Sequence, residues 1–369
     1  MFENWISDRA RAIDLSVIRK VFELGRSLKN PVNLSIGQPH FPVPTPIKEA
    51  AKSAIDADRN GYSVSQGIGE LNGKIKNWLD KTYDHTDRAV FLTSGTSGGL
   101  HLALAATVNP GDEVIIFDPY FVGYPGFLEL AGGRPVIIDT YPEFGIDVDK
   151  VRSAITPKTK VILFNSPANP SGAVPNDDQV RDLALLAAEK NVLLISDEIY
   201  RNFCYDRPFL SPTRFNPQTL VVDGFGKTYG FTGWRLGFAH GPRSIIEQMI
   251  KLQQLVFVCP PTIVQYGGVA AWDYDTSAIV AAYRQKRDRL VAGLKDRFEF
   301  TIPGGAFYLF PKVPWGTGTA FVEKAMESNL LILPGLIFSG RDTHVRISYA
   351  ADDAIIDRGI EILNRLARK

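Results

Sequence analysis

Short runs of apolar residues recur along the chain from about residue 89 to residue 239, and Gly, Pro, Asn or Asp bound them. Between them lie longer stretches with helical spacing of apolar residues, such as Asp178–Lys190. Short continuous apolar runs are typical of strands that are buried on both faces of a mostly parallel sheet. The alternation predicts an α/β fold whose large domain has a mostly parallel seven-stranded sheet between helices. The runs are Ala89–Thr93, Val114–Phe117, Pro135–Ile138, Val161–Phe164, Val192–Ile195, Leu220–Val222 and Leu236–Ala239.

The pattern changes after Trp272. A long helical pattern, Ala278–Arg297, is followed by two apolar runs and two more helical patterns, which predict a smaller α+β domain. The first 44 residues hold a predicted helix, Asp14–Leu28, and a proline-rich segment, which are too short to form a core alone. We therefore predict a large domain of residues 45–275 and a small domain of residues 1–44 with 276–369. The later runs are Ala306–Phe310 and Val345–Tyr349, and the later helical patterns are Thr319–Ser328 and Ala354–Leu366.

Composition narrows the possible classes of function. The 369 residues include 41 basic and 40 acidic side chains, and a net charge of +1 gives no electrostatic case for a nucleic-acid or membrane partner. No apolar run is long enough for a transmembrane helix, and the N-terminus lacks the pattern of a signal peptide. Cys204 and Cys259 suggest reduced thiols, and neither they nor the histidines have metal-ligand spacing. We expect a cytoplasmic protein without a metal.

A glycine-rich loop follows the first apolar run, where the reactive loops of open parallel sheets lie. The loop contains Gly95, Thr96 and Ser97 and leads into a predicted helix. Backbone N–H groups and hydroxyls at the start of a helix suit a phosphate. A plain strand-to-helix turn is the alternative, because short glycine-rich loops are common.

Three polar or aromatic residues follow later runs. Phe121 can stack on a planar ligand or pack in the core. Asn169 lies between two prolines, where it either points into a cleft or forms an Asx turn. Asp197 ends a run that is predicted to be buried, so it needs a partner there unless it caps the next segment.

Three cationic residues complete the candidate chemistry. Lys227 lies among glycines and aromatic residues, where a dry environment would lower its pKa and make it a nucleophilic amine. Taken alone, an ordinary lysine of a surface loop is the default alternative. Arg235 follows eight residues later and can pair with a phosphate. Arg346 lies in an apolar run, and either a substrate carboxylate or a structural ion pair would satisfy it.

Taken together, these motifs closely resemble the class I/II aminotransferases, which are fold-type I pyridoxal phosphate enzymes. The resemblance covers about residues 30 to 365 and rests on the order and spacing of the motifs. The motifs are Leu34–Pro39, Tyr62 before Gly67–Leu71, the loop at Gly95, Asn169–Gly172, Asp197–Tyr200, Lys227 with Arg235, and Arg346–Ala350.

The resemblance implies roles around the ring of pyridoxal 5'-phosphate. Lys227 resembles the lysine that forms a Schiff base with the cofactor and then shuttles the proton. Asp197 resembles the carboxylate that keeps the pyridine nitrogen protonated. Asn169 and Tyr200 resemble the pair that hydrogen-bonds the phenolic oxygen, and Phe121 falls where an aromatic residue stacks on the ring.

The resemblance also implies a phosphate site and a shared active site. Gly95, Thr96, Ser97 and Arg235 resemble the residues that bind the phosphate. Tyr62 resembles a residue that reaches the phosphate of the neighbouring subunit, which implies a homodimer.

The substrate's α-carboxylate has its own implied partners. Arg346 resembles the arginine that binds it, and Gly37 resembles a residue that adds a backbone contact. Many family members carry serine three residues before the lysine and directly before it, whereas this chain has Gly224 and Gly226. We therefore expect cofactor affinity to be the property most affected.

We predict an aminotransferase that moves an α-amino group between an L-amino acid and a 2-oxo acid such as 2-oxoglutarate or pyruvate. A β-eliminating lyase of the same family is the alternative, because it needs the same residues. A cofactor-binding transcription regulator would need a DNA-binding unit, and the few residues before the first motif are not markedly basic.

The amino donor is predicted from the pocket. Aspartate-preferring members often have a lysine where this chain has Ser97, and a second substrate carboxylate needs a cation. Phe41, Phe121 and Tyr308 suit neutral or aromatic side chains instead. A partner subunit or the N-terminal arginines Arg19 and Arg26 are the alternative sources of a cation.

Overall fold

A computed structural model describes residues 3–13, 28–85 and 87–368 of the chain. Its strands are β1 (Val32–Asn33), β2 (Arg88–Thr93), β3 (Glu113–Asp118), β4 (Arg134–Asp139), β5 (Thr159–Asn165), β6 (Leu193–Asp197), β7 (Leu220–Gly224), β8 (Gly237–Pro242), β9 (Tyr308–Leu309), β10 (Leu330–Leu331), β11 (Leu333–Pro334) and β12 (Val345–Ser348).

The helices begin at residues that satisfy their free N–H groups. Asn176 and Gln179 form a reciprocal capping box at the start of helix Asp177–Glu189, and Asp147 caps the helix before it. The α-helices in the described residues are Asp8–Ala12, Thr45–Asp56, Gly69–Thr82, Gly95–Thr107, Tyr124–Ala131, Val148–Ala154, Asp177–Glu189, Arg243–Val256, Thr262–Trp272, Ser277–Leu294, Gly318–Glu327 and Asp353–Leu366.

The main sheet has seven strands in the order β2-β8-β7-β6-β5-β3-β4. Strand β8 is antiparallel to both of its neighbours, and the other pairs are parallel. Each of the seven predicted runs overlaps one of these strands, so the predicted α/β fold is confirmed.

Both faces of this sheet are buried beneath helices. Along β3, Val114 and Ile116 belong to the cluster that contains the helix Gly95–Thr107, whereas Ile115 belongs to the cluster that contains the helix Asp177–Glu189. Successive side chains of a strand point to opposite faces of the sheet. A run without polar residues therefore buries its side chains in the apolar clusters on both faces. That requirement explains why the runs are continuous rather than alternating.

A second, smaller unit of strands and helices is formed by the C-terminal part of the chain. Its three-stranded antiparallel sheet has the order β11-β12-β9, and helices such as Asp353–Leu366 contribute to its apolar core. Strand β1 pairs in parallel with β10, which attaches the segment at Val32 to this unit. The domain limits at residues 44 and 275 stay a prediction, and the helix predicted from Asp14 lies outside the described residues except for Leu28.

Among the described residues, no helix combines the length and the apolar character needed to cross a bilayer.

Candidate active site

The predicted site residues other than Tyr62 line one cleft at an edge of the main sheet. Strands β5, β6 and β7 end there, and the antiparallel β8 begins there, so residues before Gly237 reach the same edge as residues after Gly224. A cleft of about 420 Å³ lies between this edge and the smaller unit. Its lining includes Gly37, Gly95, Thr96, Ser97, Phe121, Asn169, Asp197, Tyr200, Lys227, Arg235, Tyr308, Phe338 and Arg346.

Lys227 projects from the loop that joins β7 to β8. Its Nζ donates a hydrogen bond to the carbonyl oxygen of Gly37 and lies 6.0 Å from the ring centroid of Phe307. Burial and the cations Arg346 and Arg235 lower the pKa of Lys227 to about 8, although Asp197 opposes the change. An amine with this pKa is partly neutral near pH 7, as a nucleophile needs to be.

Asp197 is the last residue of β6 and is 3% exposed. It accepts hydrogen bonds from the Tyr124 hydroxyl at 2.8 Å and from the Ile199 N–H at 3.3 Å. Burial raises the pKa of Asp197 to about 6, while the bond from Tyr124 acts in the opposite direction. The carboxylate is thus held in place and would gain from a cationic partner in the cleft.

Arg346 lies in β12 and is buried without a carboxylate partner among the described residues. Nη1 donates to Oδ1 of Asn169 at 3.0 Å, and Nη2 donates to the carbonyl oxygen of Ser35 at 2.7 Å. The rings of Tyr308 and Phe338 lie 4.5 and 4.7 Å from its guanidinium carbon. Burial lowers the pKa of Arg346, so an anion in the cleft would stabilise its charge.

The glycine-rich loop and Arg235 form a cradle. Gly95 has φ +70°, and a Cβ there would lie 2.5 Å from Nη2 of Arg235. Arg235 is anchored through Nη1, which donates to the Thr232 carbonyl at 3.0 Å. The buried Oγ1 of Thr96 has no hydrogen-bond partner within the described part of the chain. A cation, an orphan hydroxyl and the N–H groups of a helix start together fit a phosphate group.

The two unusual glycines stand in crowded places. A Cβ at Gly224 would lie 2.6 Å from Oγ1 of Thr96, and a Cβ at Gly226 would lie 3.0 Å from the Thr232 Cα. Neither position accepts a serine without movement of its neighbour. The hydroxyl of Thr96 therefore occupies space that a side chain at residue 224 would take.

Some predicted residues have other surroundings. Tyr62 is 86% exposed and does not line the cleft. Phe41 packs edge-on against Tyr283 and is also absent from the lining. Arg19 and Arg26 lie outside the described residues.

Two tyrosines have hydrogen-bonding contacts in the site that the sequence did not predict. Tyr124 donates to Asp197, and the Tyr308 hydroxyl lies 2.7 Å from that of Tyr200. Tyr124 follows Phe121 in an aromatic stretch after β3, and that stretch was the one available signal. Tyr308 was predicted only to be an aromatic wall of the pocket.

Comparison with known proteins gives the family. The model of the aminotransferase class I and II family matches residues 29–363. A probable aspartate aminotransferase of Methanocaldococcus jannaschii is 37% identical, over 98% of this chain and 99% of its own length. Aromatic-amino-acid aminotransferase 2 of Thermococcus litoralis is 32% identical, over 99% of this chain and 98% of its own length.

A solved structure agrees with the fold. Aspartate aminotransferase from Thermus thermophilus with maleate superimposes with a TM-score of 0.92 at 34% identity, over 98% of this chain and 99% of that one. The chain belongs to the class I and II aminotransferases. It is a transferase of the fold-type I family and uses pyridoxal phosphate.

Proposed function

We propose that this aminotransferase takes the amino group from an L-amino acid with a neutral or aromatic side chain and passes it to a 2-oxo acid such as pyruvate or 2-oxoglutarate. One observation carries the proposal. In the part of the chain that the structure describes, the charged residues lining the cleft are Asp197, Lys227, Arg235 and Arg346. Each of these has a role in binding the cofactor or the α-carboxylate, so no cation is left for a second substrate carboxylate.

The residues around the cofactor ring would divide the work as follows. Bound pyridoxal phosphate supplies an electron sink for the substrate's Cα. Lys227 holds the cofactor through Nζ and later moves a proton from Cα as a general base. Asp197 would hold the proton on the pyridine nitrogen, and Phe121 would pack on the ring. Asn169 and Tyr200 would donate to the phenolic oxygen.

The remaining residues fix the two anionic ends. Gly95, Thr96, Ser97 and Arg235 hold the phosphate at the cradle. Arg346 binds the α-carboxylate in the plane of its guanidinium, and Gly37 contributes its backbone beside Lys227. Holding both ends orients the reacting Cα beside Nζ of Lys227, which lowers the entropic part of the barrier.

The rest of the wall decides the side-chain preference. Apolar residues that line the cleft include Ile36, Val122, Ile337 and Phe338, and the ring of Phe338 lies against Arg346. An aspartate side chain would lose its hydration there without gaining a cation. The same argument favours pyruvate over 2-oxoglutarate as acceptor, because 2-oxoglutarate also carries a second carboxylate. Aspartate preference is the competing candidate, since relatives are named for aspartate.

A half-reaction screen tests the preference. The holoenzyme is mixed with alanine, leucine, phenylalanine, methionine or aspartate, and the loss of the absorbance of the lysine-bound cofactor gives kcat/KM for each donor. We expect the neutral donors to be faster than aspartate. If aspartate is faster by about tenfold, or about 1.4 kcal/mol in transition-state binding, the proposed pocket is wrong.

The lyase alternative has its own test. A β-eliminating enzyme would release pyruvate and ammonia from a cysteine conjugate without any 2-oxo acid. The relatives reported above are named aminotransferases, and we expect no pyruvate under those conditions. The same incubation with a 2-oxo acid and an amino donor is the positive control.

We further propose a homodimer with shared active sites in the cytoplasm. Exposed apolar side chains lie on two segments that meet where Gln253 donates to the Ser65 carbonyl. They are Tyr62, Val64, Leu255, Val256 and Val258, which are 86%, 60%, 81%, 51% and 41% exposed and are here called the apolar patch. Phe257, which follows Val256, approaches the phosphate cradle, since a Cβ at Gly98 would lie 3.6 Å from its ring. A second copy of the chain on this patch would bring its Tyr62 towards the cradle.

Subunit hybrids test the shared site. Tyr62→Phe subunits are mixed with Lys227→Ala subunits after mild dissociation. In the hybrid dimer, the intact Lys227 receives a Tyr62 from the other chain, so cofactor affinity at that site should match wild type. Affinity that stays at the Tyr62→Phe level would show that Tyr62 does not cross the interface, and sedimentation of a monomer at micromolar concentration would rule out the dimer.

A further inference from the structure

Tyr308 contacts three of the proposed site residues. It lies in β9 and is 1% exposed. Its hydroxyl oxygen is 2.7 Å from that of Tyr200, and its ring centroid is 4.5 Å from the guanidinium carbon of Arg346. It also approaches Gly37 so closely that a Cβ there would lie 2.5 Å from the hydroxyl. One side chain thus joins the groups proposed for the cofactor and for the substrate carboxylate.

The hydroxyl pair has a preferred direction. Each phenol carries one proton, so only one of the two protons lies between the oxygens. If Tyr200 donated, its single proton would lie between the two oxygens and could not be directed at a bound cofactor. If Tyr308 donates, the proton of Tyr200 is free to point into the cleft that both residues line.

The neighbouring charges favour the same direction. Burial raises the pKa of Tyr308, and the Arg346 cation opposes that rise. Burial, followed by Tyr308, raises the pKa of Tyr200 well above its ordinary value; Arg346 opposes this rise, and Asp197 adds to it. A phenol beside a cation is the stronger donor, and a hydroxyl that accepts a hydrogen bond donates its own proton more strongly.

We propose that Tyr308 is a positioning residue with two separable tasks. Its hydroxyl donates to Tyr200, so that the Tyr200 proton is directed at the phenolic oxygen of the bound cofactor. Its ring covers the guanidinium of Arg346 and holds it in the plane that binds a carboxylate. The inference rests on the proposed roles of Tyr200 and Arg346.

Two variants of the holoenzyme separate the tasks. Tyr308→Phe keeps the ring and removes the hydroxyl, whereas Tyr308→Leu removes both. In Tyr308→Phe, Tyr200 should donate a weaker hydrogen bond to the phenolic oxygen of the cofactor, and that oxygen becomes a better base. The pH midpoint of the lysine-bound cofactor's absorbance should therefore rise by about half a unit. Its KM should stay within about twofold of wild type, whereas Tyr308→Leu should raise KM about tenfold for every amino acid.

Controls show whether the effect passes through Tyr200. Tyr200→Phe should raise the same midpoint by more, and adding Tyr308→Phe to it should produce no further rise. Tyr349→Phe removes another buried hydroxyl of the same unit, one that donates to the Ala306 carbonyl at 3.3 Å, and should leave the midpoint unchanged.

Either of two results overturns the inference. An unchanged midpoint in Tyr308→Phe, or a full additional rise in the double variant, removes the hydroxyl relay. An equal KM in Tyr308→Phe and Tyr308→Leu would show that the ring does not hold the guanidinium of Arg346 in place. The midpoint is measured without an amino acid, so it stays informative even if the proposed donors fail to react.

Discussion

The hydroxyl of Tyr124 donates a hydrogen bond to Oδ2 of Asp197 over 2.8 Å, although 73 positions separate the two residues. Both side chains are buried, and the bond keeps the pKa of Asp197 lower than burial alone would. Tyr124 also meets the ring of Phe121 edge-on at 5.5 Å. One residue thus supports both the carboxylate and the aromatic ring that are proposed to hold the cofactor.

Tyr124→Phe should therefore shift the pH dependence of cofactor binding. Without the donor, the pKa of Asp197 rises further above about 6, so the carboxylate ionises only at higher pH. The Kd of the apoenzyme for pyridoxal phosphate is measured as a function of pH. We expect the pH below which binding weakens to rise by about half a unit to one unit. Asp197→Ala is the reference variant and should lower affinity and kcat by about a hundredfold or more. If the pH below which binding weakens is unchanged in Tyr124→Phe, Tyr124 does not have this role.

Lys227→Ala should give a folded protein that does not transaminate. The change removes both the covalent attachment of the cofactor and the group that moves the proton. Borohydride reduction of the holoenzyme followed by peptide mapping should place the label on Lys227 and find none in the variant. Circular dichroism serves as the folding control, and a label on another lysine would contradict the assignment.

Arg346→Lys should lower kcat/KM for every amino acid by a similar factor. A lysine ammonium cannot donate to Asn169 and Ser35 while it presents a planar fork to a carboxylate. We expect a loss of about tenfold to a hundredfold, measured with alanine, leucine and phenylalanine in parallel. A loss confined to acidic donors would show that Arg346 binds the side chain instead.

The raised pKa of Glu198 should make the free energy of unfolding depend on pH. Burial raises its pKa from 4.5 to about 7, against hydrogen bonds from Ser211 and Ser196 at 2.6 and 3.0 Å. The folded state therefore binds this proton more tightly than the unfolded state does. The resulting stability is fully present below about pH 4.5 and is lost as pH rises through 7.

Glu198→Gln should remove that dependence. Denaturant unfolding of the wild-type apoenzyme between pH 5 and pH 8 should show a loss of about 2 kcal/mol or more, and the variant should show a smaller one. Asp197 contributes in the same direction, since its pKa is also raised, so Asp197→Asn is measured in parallel. If the free energy of unfolding depends on pH equally in wild type and Glu198→Gln, Glu198 is not the cause of that dependence.

Much of the fold was predictable, because buried parallel strands must be apolar on both faces. The same runs predicted that Lys227, Asp197 and Asn169 lie close together, because the carboxyl ends of parallel strands meet at one edge of the sheet. The two-residue strands β1 and β10 were not predictable, since they have no periodicity of their own and depend on a pairing between Val32 and Leu330.

The missed parts of the site have a common physical cause. Tyr124 and Tyr308 act through partners 73 and 108 positions away, and a phenol in a sequence carries no sign of which hydroxyl or carboxylate it will meet. The antiparallel direction of β8 could not be predicted from its apolar run either. Its direction explains why Arg235, which precedes the strand, lies in the cleft.

The position of β8 also sets an order of assembly during synthesis. Among the described strands, β2 is at the edge of the main sheet and pairs with β8, so the strand that leads into Gly95 has no sheet neighbour until Gly237–Pro242 has left the ribosome. The cradle therefore cannot close on a phosphate before β8, which ends at Pro242, is available to pair. Arg346, more than a hundred residues later, completes the substrate's binding site last. A growing chain is thus able to complete its binding sites for cofactor and substrate only after Arg346 has been synthesised.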